Sequence, residues 1–96
     1  MAQIIIEDKE TNAYGWSFKV TVHDDISETK HKVNVSKEYY NKLTQGKIPP
    51  EELVKNSFQF LLAHEPKESI LGEFGLPMIQ KYFYAYENSM KFESNG

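Results

Sequence analysis

The chain has 96 residues, 40% of them hydrophobic and 14% aromatic, which is the composition of one folded domain and not of a disordered segment. It contains no cysteine, so disulfides, thiolate metal sites and a cysteine nucleophile are excluded. Eleven basic residues, all lysine, stand against fourteen acidic ones for a net charge of −3. Without arginine there is no bidentate guanidinium contact to phosphate, guanine or carboxylate, and nucleic-acid binding is disfavoured.

The N-terminus, MAQIIIEDKE, passes straight from an isoleucine run into charge, unlike a secretion signal. Apolar runs are only a few residues long, too short to cross a bilayer, and the expectation is a soluble cytoplasmic protein. Residues 3–8 read as a first strand, and the polar stretch 9–15 as a loop. In residues 16–23, Trp16, Phe18, Val20 and Val22 alternate with Ser17, Lys19, Thr21 and His23, the period of a half-buried strand. Asp24, Asp25, Ser27 and Glu28 supply a turn. Residues 29–35 alternate again, with His31, Val33 and Val35 opposed to Lys30, Lys32 and Asn34. Three sequential strands with short connections predict an antiparallel meander, covered on one face.

Ser36 has the chemistry of an N-cap for a helix over 37–44, and Gly46 is placed to end it in a left-handed conformation. The strongest helical signal comes next, at 50–64. Leu53, Val54, Ser57, Phe58, Leu61 and Leu62 share one face, two prolines open the segment, and Glu51 and Glu52 sit in its first turn. Pro66 closes it. Residues 67–74 predict a further helix through Ile70, Leu71 and Phe74. Residues 77–86 predict a last one, with Ile79, Tyr82, Phe83 and Tyr86 on its core stripe. The tail, 88–96, is polar apart from Met90 and Phe92 and is expected to fray. Strands first and helices afterwards make a single α+β domain, with three or four helices on one face of a three-stranded antiparallel sheet.

The stretch SKEYYNKLTQGKIPPEELVKNSFQFLLAHEPKESIL, continuing to FGLPMIQKYF, resembles a family of small uncharacterised prokaryotic proteins in which a short β region precedes this pattern. The resemblance spans nearly the whole chain and is most specific over 50–62 and 66–71. Tyr84 stands where that family has proline, and Gly75 where it has aspartate. The resemblance implies a stand-alone single domain and no particular activity.

Residues able to carry chemistry are few. The three histidines, His23, His31 and His64, show no metal-ligand spacing, and the alternation puts His23 and His31 on opposite sheet faces. Ser57 and His64 share a helix face but lie roughly 10 Å apart along the axis, too far for a nucleophile and its base. The carboxylates fall in helix first turns and solvated loops, and no glycine-rich phosphate loop exists. No cofactor and no metal is expected, and an enzyme is disfavoured.

Two binding readings remain. Residues 67–86 resemble a helix-turn-helix in outline, but the second helix offers only Gln80 and Lys81 to read bases. Tyrosines in excess of what one helix face can bury, and the edge strands of the meander, suit a protein partner or a homodimer. The sequence therefore predicts a small non-enzymatic protein-interaction or regulatory module, with Tyr40, Lys81, Tyr84 and Tyr86 as exposed contact residues. A helix-turn-helix-like nucleic-acid binder is the alternative.

Overall fold

The alternating segments form a meander whose register is set by their turns. In a computed structural model that describes residues 2–91, β1 (Gln3–Thr11), β2 (Gly15–His23) and β3 (Glu28–Ser36) pair antiparallel in sequence. Asn12 sets the first turn, its Oδ1 accepting from the N–H groups of Tyr14 and Gly15 at 2.8 and 3.0 Å. Asp24 sets the second, accepting from Ile26 and Ser27 at 2.9 and 3.0 Å. Gly15 is required by a close approach: a Cβ there would lie 2.0 Å from the Val35 carbonyl oxygen. Phe18, Val20, Val22, Val33 and Val35 are buried on one face, as the alternation predicts, and His31 is buried with them.

Helix α1 (Lys37–Thr44) starts where expected, Ser36 Oγ accepting from Tyr39 N–H at 3.0 Å. Its left-handed terminating residue is Gln45, at φ +55°, one residue before the expected Gly46, which is left-handed as well at φ +74°. Helix α2 (Pro50–His64) buries Leu53, Val54, Ser57, Phe58 and Leu61 over the sheet. Burying each of its large apolar side chains contributes about 1.5–3 kcal/mol before the entropy of ordering is counted.

Beyond Pro66 the structure departs from the sequence reading. Residues 67–74 do not form a helix. A single 3-10 turn, Lys67–Ser69, leads into β4 (Glu73–Gly75), which pairs parallel to β3 through Lys32–Glu73, Val33–Phe74 and Asn34–Gly75. The sheet is therefore mixed and four-stranded among the described residues, in the order β1-β2-β3-β4, and not a three-stranded antiparallel meander. The physical reason is the open edge of β3, whose unpaired backbone groups reward a neighbouring strand more than three residues of helix would. Lys32 N–H reaches Gly72 O at 2.8 Å, and Leu76 N–H reaches Asn34 O at 3.2 Å. A parallel pair needs a long crossover, and α1 and α2 supply it.

The predicted helix over 77–86 is broken in two, α3 (Pro77–Tyr82) and α4 (Tyr86–Met90). Phe60 explains the break: its ring meets Phe83 at 6.0 Å and Tyr86 at 5.5 Å, and the kink turns both towards it. Gln80 bridges the interruption, Nε2 donating to Tyr84 O at 2.7 Å and Oε1 accepting from Glu87 N–H at 2.8 Å. Tyr82, predicted on the core stripe, is consequently 69% exposed. Residues 88–90, predicted to fray, belong to α4, and Lys91 caps it; 92–96, with Phe92, lie outside the described residues. The helix pair that a helix-turn-helix needs across 67–86 does not form. No helix among the described residues is long and apolar enough to cross a membrane.

Candidate functional site

Because β1 ends the sheet order, one side of a nine-residue strand has no partner strand among the described residues. Its two halves differ. Pairing with β2 is regular from Gln3 to Glu7, and the register shifts before Glu10, where Asp8 takes φ +53°. Such a bulge twists an edge away from would-be partners. Just past it, Lys9 Nζ pairs with Glu51 Oε2 at 3.1 Å and lies 5.9 Å from the centre of the Trp16 ring. The first half carries no such device: it reads Gln-Ile-Ile-Ile-Glu, with Ile5 41% exposed and Ile4 and Ile6 half-buried.

Helix α2 runs beside this edge, its first turn at Lys9 and its C-terminal end near Gln3. Two open clefts lie between them, about 710 and 500 Å³, and both are bordered by Ile4, Lys55 and Gln59. Together they make one trough along β1, floored by isoleucine and walled by Glu52, Lys55, Asn56 and Gln59. These wall residues occupy the helix positions that the burial stripe leaves over, so one periodicity places both the core face and the wall.

One end of the trough is closed by a charged knot. Lys67, whose side chain is only 7% exposed, donates to Asp24 Oδ2 at 2.8 Å and Glu68 Oε2 at 2.7 Å. The lysine, with the turn N–H groups, holds the Asp24 carboxyl far below the usual carboxylate range, and the two acids raise Lys67. This ties the β2–β3 turn to the segment after α2. Lys67 and Asp24 are far apart in sequence, and no local pattern announces the pair.

The histidines are placed apart. His31 is buried between Thr29 Oγ1 (Nε2, 2.8 Å) and the Leu71 carbonyl (Nδ1, 2.7 Å), its ring 5.4 Å from that of Phe58. Both of its nitrogens are engaged, so it fastens β3 to the chain leading into β4. His64 bonds Phe60 O at 2.9 Å, and its ring lies 4.4 Å from that of Phe60. Ser57 faces Tyr86 instead of a histidine. Among the described residues no three His, Asp or Glu side chains are grouped to hold a metal ion.

Two of the four predicted contact residues are not exposed. Tyr86 is fully buried against Ser57 and Phe60, which fits its place on the core stripe and rules it out as an exposed contact. Tyr40 is half-buried, its ring edge-on to Trp16 at 5.2 Å and its hydroxyl donating to Ile48 O at 2.6 Å. Lys81 and Tyr84 are exposed, Tyr84 at 87%. A second apolar cleft of about 410 Å³ opens between Ile70, Leu71, Phe74, Met78 and Tyr82. The sequence signal for the trough itself was the isoleucine run of residues 4–6, which says strand but not edge.

Comparison with protein-family models, curated proteins and solved structures finds no match to this chain.

Proposed function

We propose that this chain is a small non-enzymatic interaction module that receives an extended polypeptide segment on the free edge of β1, in the trough beside α2. The observation that carries this reading is the unprotected edge from Gln3 to Glu7 with a ready-made wall beside it. Added strands gain affinity from main-chain hydrogen bonds, and alternate side chains gain specificity from the flanking pockets. Here those pockets would offer the Ile4 and Ile6 floor to apolar side chains and Lys55, Asn56 and Gln59 to polar ones. The engagement of His31, His64 and Ser57 with structural partners supports a non-catalytic role.

The test is selection of displayed peptides against dilute protein, with NMR mapping of the selected sequences. The expected result is peptides of alternating apolar pattern that shift the amides of residues 3–7 and 55–59. An Ile5→Lys variant, which places a charge on the edge, should lose them. Selected peptides that map elsewhere, or that bind the variant equally, would overturn the reading.

A further inference from the structure

We infer that the segment received by β1 is the β1 strand of a second copy of this chain, aligned antiparallel about a two-fold axis through Ile5. The inference rests on the reading of β1 as a docking edge and names its occupant. Register is the first constraint. For two sheets to join with their helices on the same face, residues facing each other across the axis must share a face, so their numbers sum to an even value. A sum of ten sets Ile5 opposite its own copy, Ile4 opposite Ile6, and Gln3 opposite Glu7. Apolar then meets apolar in every central pair, and the outermost pair joins an amide to a carboxylate. Centring on Ile6 would set Ile4 against Asp8 and Ile5 against Glu7; centring on Ile4 would set Ile5 against Gln3 and leave Glu7 outside the apolar ladder. The pattern matches itself in one register.

The protective features are a second, independent constraint. The symmetric ladder spans Gln3–Glu7, and the bulge at Asp8 with the Lys9–Glu51 ion pair begins where that ladder ends. An edge defended over one half and left open over the other is what a strand shaped for a partner of that length requires. A short strand pair buries less than the ~1,200 Å² of a stable interface, and the α2 walls can supply the remainder. Two four-stranded sheets would become one, with Lys55, Asn56 and Gln59 of each copy lining the seam.

The experiment is sedimentation equilibrium on the whole chain over a roughly hundredfold concentration range. The wild type should show twice the 11.2 kDa chain mass at the upper end. Ile5→Lys, which brings two ammonium groups together at the axis, should remain at 11.2 kDa with an unchanged far-ultraviolet circular dichroism spectrum. Two further variants test the register. Gln3→Lys creates two symmetric pairs with Glu7 and should tighten the dimer about 2- to 30-fold, whereas Gln3→Glu should loosen it. A wild type that stays at 11.2 kDa throughout, a dimer indifferent to Ile5→Lys, or Gln3 variants that do not move in opposite directions would overturn the inference. A monomeric wild type that still binds selected peptides at residues 3–7 would overturn the second copy and leave the docking edge standing. A monomer that binds none there would remove both.

Discussion

The hydroxyls of Ser57 and Tyr86 lie 2.6 Å apart with both residues fully buried, and they fasten α4 to α2. Ser57 Oγ donates to Leu53 O at 2.7 Å, so its single proton is committed and Tyr86 must be the donor between the two. The result is a directed relay from phenol to serine to backbone carbonyl, 29 residues apart in the chain at its tyrosine step.

Removing the two hydroxyls of that relay should have unequal effects. Ser57→Ala leaves a buried phenol without its acceptor and should cost about 1–3 kcal/mol. Tyr86→Phe leaves Ser57 with its carbonyl partner intact and should cost only about 0.5–1.5 kcal/mol. The double variant should cost less than the sum, because both deletions remove the same bond. Urea denaturation of the three variants measures all of this.

Acid should weaken the fold through identifiable groups. The Lys67 contact and turn N–H groups lower Asp24, Lys67 lowers Glu68, and the Tyr39 hydroxyl with Lys42 lowers Glu87. Each carboxylate has a folded pKa below its unfolded value of about 3.9–4.3, so its stabilisation is complete above that value and is lost as pH falls through the folded one. Stability should therefore decline from about pH 5 downwards. Lys67→Met should flatten that decline while lowering stability at pH 7, which denaturation midpoints at pH 7 and pH 3 will reveal.

Base should act through two phenols. Burial, together with donation to Glu87 at 2.8 Å, pushes Tyr39 above the ordinary tyrosine range, and burial does the same to Tyr86. A pKa raised in the folded state gives stability that is intact below the unfolded value of about 10 and is lost as pH rises towards the folded one. In a titration of phenolate absorbance, Tyr39 and Tyr86 should contribute no signal until the chain unfolds. Glu87→Gln should bring the Tyr39 step to lower pH.

Gly15 admits no side chain. A Cβ would also meet Ser36 Cα at 2.8 Å, and both neighbours are backbone at the point where β3 enters α1. Gly15→Ala should destabilise by about 1–3 kcal/mol or more. Gly72→Ala, where a Cβ meets nothing within 4 Å, is the control and should come out far milder. Thermal unfolding tracked by circular dichroism compares the two.

What the residues determined by themselves was whatever a short window can encode. The alternation of 16–23 and 29–35, the cap at Ser36 and the stripe of 50–64 each give a period or a local hydrogen bond that needs no distant partner. Those elements formed as read, down to the burial of His31 on the covered face. Tertiary structure decided the course of the chain beyond Pro66. The apolar residues Ile70 and Phe74 suit a helix or a strand equally, and the open edge of β3 chose the strand. Tyr82 and Tyr86 share a helix face on paper, yet the position of Phe60 broke the helix and sent one outward and the other inward. The trough belongs to the same class. Three isoleucines specify a strand, but only the assembled sheet makes that strand an edge, because which backbone groups lack a partner depends on every other strand and not on the residues that carry them.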